Sequence, residues 1–304
     1  MVKEIQKFDP LNTNSYFKEI FHQAGIGIMT LNKNMSILFA NMESLKIFGY
    51  KTGKLDGTKF TKLFHNSNKI KLENILLEAD DSEKDNPIVE LTGIHMDNSA
   101  FPIELSITIN KFNDETIIAV IIRDITESKN NEENLKYQAY FDQLTEIPNR
   151  TLFSDRAENA INQAKRSNEG LAIIFIDLDE FKNINDTYGH EVGDIFLNNI
   201  AKRFITSARK SDTVSRRGGD EFTILMPRIK NTEDAAYLAE RILESNEKPI
   251  KINKISIYPK TSIGISVYPE DGDTIEVLIE KADKAMYCAK KMGKNRYVFN
   301  RSDL

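Results

Sequence analysis

The residues best suited to chemistry lie in one short run, Arg216-Arg-Gly-Gly-Asp-Glu-Phe222. Two adjacent glycines permit positive φ and carry no Cβ, so a phosphate or a base can approach the backbone of Gly218 and Gly219 closely. Asp220 and Glu221 follow at once, and two acids beside a tight turn suit a divalent metal. Taken alone, the run is also consistent with an ordinary hairpin carrying solvated acids. A second run, Phe175-Ile-Asp-Leu-Asp-Glu-Phe-Lys-Asn-Ile-Asn-Asp186, ends an apolar strand in Asp177 and Asp179, and strand ends are where sheets of this kind present ligands. If the strand of Asp177 lies beside the glycine hairpin, three carboxylates meet with no basic residue among them. Such a cluster repels itself and raises its own pKa values, a tension that Mg2+ relieves. Metal-assisted phosphoryl chemistry is the class this predicts.

Positioning these groups requires the alternating helices and strands that begin at about Tyr140. A helix near Thr151 to Ser167 precedes a strand at Leu171 to Asp177, and a helix near Gly193 to Ala208 precedes a hairpin with arms at Asp212 to Arg217 and Glu221 to Met226. A helix at Asp234 to Ser245, a strand at Lys260 to Tyr268, a helix at Ile275 to Met292 and a strand at Arg296 to Phe299 complete an α+β sandwich on a mixed sheet. The preceding part, from Asn14 to about Lys129, predicts an antiparallel sheet with flanking helices. Ile26 to Leu31 and Ser36 to Ala40 surround an Asn32-Lys-Asn34 turn. Phe101, Ile103, Leu105, Ile107 and Ile109 alternate with polar residues, and Thr116 to Arg123, apolar on both faces, follows a turn at Asn113-Asp-Glu115. Glu127 to Gln138, polar and free of Gly and Pro, predicts a helical connector. Its 3-4 pattern of Ile125, Ser128, Glu132, Leu135 and Ala139 makes a weak coiled-coil seam able to take two registers, with a solvated linker as the alternative.

A chain of 304 residues accommodates two domains. Forty-one basic against 46 acidic residues, a net charge of −5, argue against coating nucleic acid or anionic membrane, so phosphate must be held locally. The single cysteine, Cys288, excludes an internal disulfide and cysteine-based zinc sites, and fits a reducing compartment. The start lacks the apolar core of a signal peptide, and no apolar run approaches the roughly 20 residues that span a bilayer, so a cytoplasmic protein without a membrane span is expected.

Gly218-Gly-Asp-Glu-Phe222 is letter for letter the GGDEF motif of the diguanylate cyclases, and residues 140 to 300 resemble that family throughout. Asp142-Gln-Leu-Thr-Glu-Ile-Pro-Asn-Arg150, Asn185-Asp-Thr-Tyr-Gly-His190 with Gly193-Asp194, Ser262-Ile-Gly-Ile265, and Ala282-Asp-Lys-Ala-Met-Tyr287 leading to Lys290 match it in order. Asn41, Phe48-Gly-Tyr50, Leu55-Asp-Gly57 and the closing Arg123-Asp-Ile-Thr-Glu127 make the N-terminal part resemble a PAS sensor domain. The resemblance implies a PAS domain at 14–127, a connector at 128–139 and a palm-like βααββαβ cyclase domain at 140–304, with no phosphodiesterase domain after Leu304.

It further implies that two GTP condense into cyclic di-GMP with release of two pyrophosphates, each domain of a homodimer holding one GTP. Asp177, Asp220 and the Leu178 carbonyl would hold Mg2+, with Mn2+ as a substitute. Glu221 would be a further ligand or assist deprotonation of the 3′-hydroxyl, and the catalytic turn would comprise Gly218, Gly219, Asp220 and Glu221. Asn185 and Asp194 would read guanine, whose N–H groups require acceptors. Phe181 and Lys182 would lie on a phosphate-cradling loop. Lys290 and Lys294, four apart and so on one helical face, would reach the outer phosphates, although the family usually has Arg at position 294. Arg209-Lys-Ser-Asp212 matches the family's RxxD inhibitory site, where product would bind.

Among weaker candidates, His22, His65 and His95 read as surface or core residues rather than haem ligands, Cys288 as a small core residue, and Phe39, Phe48, Phe60 and Phe64 as sensor core. No sensor ligand is specified, and a cysteinyl-flavin photosensor is excluded because Cys288 lies outside that domain. The competing functional readings are a receptor that binds nucleotide without turnover, a cyclase for another nucleotide, and an interaction module.

Overall fold

The computed structural model describes residues 19–51, 55–65, 68, 72, 88–112 and 115–300, and the chain divides into two units, Met1–Glu133 and Asn134–Leu304. The expected sensor start at Asn14, part of the turn at Asn113 and Asp114, and residues 301–304 lie outside the described residues.

In the first unit, period-2 alternation sorts side chains between the two faces of an antiparallel sheet. Strands β1 (Gly27–Asn32), β2 (Ile37–Ala40), β3 (Ile88–Ile94), β4 (Ala100–Phe112) and β5 (Glu115–Asp124) stand in the order β2-β1-β5-β4-β3. Met29, Leu31, Ile103, Leu105, Ile107, Ile118, Val120 and Ile122 point inward and are buried with Phe48, Phe60 and Phe64, while Phe39 is half-buried. The buried rings meet edge-on, Phe60 against Phe64 at 4.8 Å and Phe48 against Phe101 at 5.6 Å. Asn41, fully buried, caps helix α1 (Met42–Ile47) by accepting from Ser44 N, accepts from Ile28 N, and donates to Ile26 O. One amide thus ties the helix to the first strand. His95 stacks flat on Phe101 at 3.8 Å, and His22 packs against Phe21 and Phe39.

Helix α2 (Thr126–Tyr140) opens where Asp124 accepts from Thr126 N, and the boundary between the two units falls inside it. None of its residues is buried, and Leu135 of the expected seam is 66% exposed. Only Ile125, at the seam's start, is buried.

The second unit is a mixed sheet in the order β12-β11-β6-β8-β7, comprising β6 (Gly170–Leu178), β7 (Thr213–Gly218), β8 (Glu221–Ile229), β11 (Thr261–Tyr268) and β12 (Arg296–Phe299). Helices α3 (Arg150–Ser167) and α7 (Ile275–Lys291) pack with one core, and α5 (His190–Ser207) and α6 (Glu233–Asn246) with the other. Two further elements carry no apolar period in the sequence. Residues Phe181–Tyr188 form helix α4, and a small hairpin, β9 (Ile250–Ile252) with β10 (Ile255–Ile257), follows α6. Polar side chains hid α4, since only Phe181 in it is buried. Cys288 is half-buried rather than a core residue.

Gly264 sets how closely α7 approaches the sheet. A Cβ there would stand 1.9 Å from Ala282 O and 2.2 Å from Met286 N, both helix backbone. Gly264→Ala is therefore expected to destabilise this unit by about 3 kcal/mol. Thermal unfolding should show Tm falling by about 6–12 °C, and an unchanged Tm would overturn this account of the packing.

Candidate functional site

Antiparallel pairing brings the two chemical runs together. β6 and β8 run in register from Ala172↔Met226 to Asp177↔Glu221, and Leu178 N donates to Asp220 O at 3.2 Å. Every residue of β6 from Leu171 onward is buried, so Asp177 ends a strand in an apolar setting, 7% exposed. Burial raises the Asp177 carboxyl above the usual range, and the charges of Asp220 and Asp179 push the same way against the contact from Lys290. Gly218 (φ 147°) and Gly219 (φ 54°) make the turn between β7 and β8, and apart from each glycine and its chain neighbours no described atom lies within 4 Å of where a Cβ would stand on either. The open face expected above the turn is present.

One expectation is corrected. The carboxylates do not meet without a cation, because Lys290 Nζ lies 2.7 Å from Asp177 Oδ2. Among the described residues, no three His, Cys, Asp or Glu side chains are grouped so as to hold a metal ion. The donor set still suits Mg2+, since Asp177, Asp220, Glu221 and a strand-end carbonyl offer only hard oxygens. Asp179 is turned to other work, accepting from Ser262 Oγ at 2.8 Å and Asn295 N at 3.0 Å.

Lys294 is also corrected. Helix α7 ends at Lys291, and Lys294 follows in a left-handed turn (φ 62°), so it does not share a helical face with Lys290. Its ammonium pairs with Glu180 Oε1 at 3.0 Å. Phe181 and Lys182 are not on a loop but form the first turn of α4. Glu180, left-handed at φ 65°, precedes them and makes no side-chain cap bond to the first N–H groups of the helix. The Phe181 ring itself is core, stacked on Phe196. Asn185 lies where α4 meets α5. Its Oδ1 is buried without a hydrogen-bond partner, and a Cβ on Gly193 would strike it at 1.9 Å. Asp194, next in the chain, is exposed.

Arg209 and Asp212 face a cavity of about 260 Å³, floored by Ile147, Pro148 and Val214. Arg209 N donates to Asp212 Oδ2 at 2.8 Å, and burial raises the Asp212 carboxyl. The Arg209 guanidinium is held by Asp234 at 3.2 Å.

The sequence reading assigned no role to Arg216, yet it braces the whole turn. Its guanidinium donates to both carboxylate oxygens of Asp142, at 2.9 and 3.1 Å, and twice to Gly219 O, at 3.0 and 2.8 Å. Thr145 donates to Asp142 from its N and Oγ1. Both partners stood in the motifs already singled out, but 74 residues of separation gave no sign that they meet.

A model of the diguanylate cyclase GGDEF domain matches residues 139–296, just over half of the chain. The chain belongs to the GGDEF family. A PAS domain model matches residues 25–127. The GGDEF part is 44% identical over 166 residues to the bifunctional diguanylate cyclase/cyclic di-GMP phosphodiesterase MucR of Pseudomonas aeruginosa, covering 55% of this chain and 24% of MucR. To the diguanylate cyclase TpbB of the same species it is 42% identical over 162 residues, covering 53% of this chain and 37% of TpbB. The chain thus spans well under half the length of these curated relatives. The crystal structure of the TpbB GGDEF domain superposes with a TM-score of 0.51 at 40% identity, over 52% of this chain and 98% of that one. The coiled coil and GGDEF domain of DgcB from Caulobacter crescentus, solved with c-di-GMP, gives a TM-score of 0.51 at 26% identity, over 58% and 93%. Among the described residues of this GGDEF protein, no helix is long and apolar enough to cross a membrane.

The Arg216 clamp generates a prediction with a defined pH window. Burial raises the Asp142 carboxyl, but the bonds from Thr145 and Arg216 outweigh it and hold its pKa below the usual carboxylate range. A depressed folded pKa means that the pair stabilises above the unfolded value, near 3.9, and that this is lost as pH falls through the folded value. Asp142→Asn should lower the stability of the GGDEF unit by about 2–4 kcal/mol near pH 7, as the side chains are only 19% and 10% exposed. In denaturant titrations from pH 7 to 3, the deficit should shrink below about pH 4. A deficit independent of pH would sink this account.

Proposed function

We propose that this protein is a diguanylate cyclase, joining two GTP into cyclic di-GMP with release of two pyrophosphates, and that its PAS domain regulates that reaction. The observation that carries the reading is the in-register pairing of Asp177 with Glu221 beside an open Gly218-Gly219 turn, in a member of the GGDEF family. The division we propose is a sensor at 14–127, a connector at 128–139 and a cyclase domain at 140–304.

Asp177, Asp220 and the Leu178 carbonyl would hold Mg2+, or Mn2+ in its place, with Glu221 as a further ligand or as the group that helps remove the 3′-hydroxyl proton. A divalent ion there would neutralise phosphate charge as it develops. The remaining groups orient the substrate. The uncapped N–H groups of Phe181 and Lys182 would receive phosphate oxygens, joined by Lys290 and Lys294. The buried, unpartnered Asn185 Oδ1 is an acceptor awaiting a donor, which the N1–H or exocyclic amine of guanine supplies, and Asp194 would take the other. One such site activates one GTP, so a symmetric product needs two sites face to face and hence a homodimer. Product would bind at Arg209 and Asp212, the cavity's apolar floor receiving a base and Arg209 a phosphate.

Purified protein with GTP and Mg2+ should form cyclic di-GMP, while ATP should give no cyclic product. Asp220→Ala should lower the rate by about three orders of magnitude or more. Tight GTP binding without product, even after bound nucleotide is stripped, would overturn the cyclase reading in favour of a receptor. Separately, Arg209→Ala should raise the product concentration needed for half-inhibition by about ten-fold or more, and unchanged inhibition would refute the product site.

A further inference from the structure

Resting on the metal site proposed above, we infer that Lys290 is the resting counter-ion of that site: in the nucleotide-free protein its ammonium holds Asp177 against a divalent ion, and only metal and nucleotide together displace it. Asp177 is almost wholly buried at a strand end, beside Asp179 and Asp220, and a carboxylate so placed needs a cation. Lys290 supplies it, at 2.7 Å with 31% of its side chain exposed, from the last turn of α7. A lysine suits a contact that must be surrendered, being a point charge on a flexible four-carbon stem with no forked geometry to break. Among the neighbouring cations, Arg216 is committed to Asp142 and Gly219 and Lys294 to Glu180, while Arg217 lies over the Phe175 ring near Glu221.

A divalent ion arriving alone would bring two further charges up against an ammonium already in place. Triphosphate oxygens give that ammonium another partner, so the metal gains Asp177 as Lys290 turns to phosphate. Metal and nucleotide then strengthen each other's binding by one common factor, as linkage requires.

The test is calorimetric titration of the full chain with Mn2+, without nucleotide and with GTP carrying a methylene bridge between its α- and β-phosphates, which cannot release pyrophosphate. Lys290→Met should bind Mn2+ alone about ten-fold more tightly than the wild type, and the gain in Mn2+ affinity on adding the analogue should shrink. Lys290→Arg, which keeps the charge, should bind Mn2+ alone as weakly as the wild type. A Lys290→Met protein with an unaltered thermal transition that binds Mn2+ alone no more tightly than the wild type would overturn the inference. Adding Asp177→Asn to Lys290→Met should abolish the gain. Undiminished Mn2+ binding in that double variant would show that the ion sits elsewhere, and the proposed metal site would fail with it.

Discussion

A carboxylate at the end of a fully buried strand is the constraint around which the GGDEF unit is arranged. β6 runs through the middle of its sheet with both faces covered, and Asp177 is where that apolar strand meets polar chemistry. Desolvation acts against its charge, and two neighbouring aspartates add to the pressure. Nothing in the packing requires an acid at this position, and the stable response to it is a positive charge. In this structure that charge is Lys290, and in a working nucleotide site it would be a metal.

Three ion pairs surround the site, and their geometry separates scaffolding from moving parts. Arg216 makes four bonds through a rigid fork, to a carboxylate also held by Thr145, and both side chains are largely buried. Such a network keeps the turn in one shape. Lys290 makes one contact with Asp177 from a flexible stem, and Lys294 meets an exposed Glu180, where solvent screens the attraction. The first pair positions backbone, the exposed Lys294–Glu180 pair can open at little cost, and Lys290 can leave the buried Asp177 only where another cation takes its place. Glu180 and Lys294, which pair with each other, are both left-handed, the kind of backbone strain that collects at functional sites.

The first unit shows a different balance. Its aromatic core and its Asn41 knot make a self-sufficient sheet-and-helix body, while the helix that leaves it buries nothing along its length. Leu135, exposed on a polar helix, contributes little burial there. Asn41, Asp142 and Gly264 maintain structure, whereas in the GGDEF unit Asn185 leaves an acceptor and the glycine turn leaves space unused.

Periodicity and turn chemistry were enough to place most elements within a residue or two, because alternation in β4, the apolar run of β6 and the glycines of the hairpin are local signals. The motif spelled out the family, and with it the residues to watch. Helix α4 escaped because a helix that buries a single side chain has no apolar period to read, and the β9–β10 hairpin because strands of three residues are too short to show one. Pairing across distance was beyond the sequence altogether. That Arg216 meets Asp142, that Lys290 rather than solvent answers Asp177, and that Lys294 leaves the helix to meet Glu180 depend on register, helix termination and burial. Residue types determined which charges exist, and only the tertiary fold decided which of them are desolvated together, since electrostatic energy depends on separation and surroundings that a linear chain does not specify.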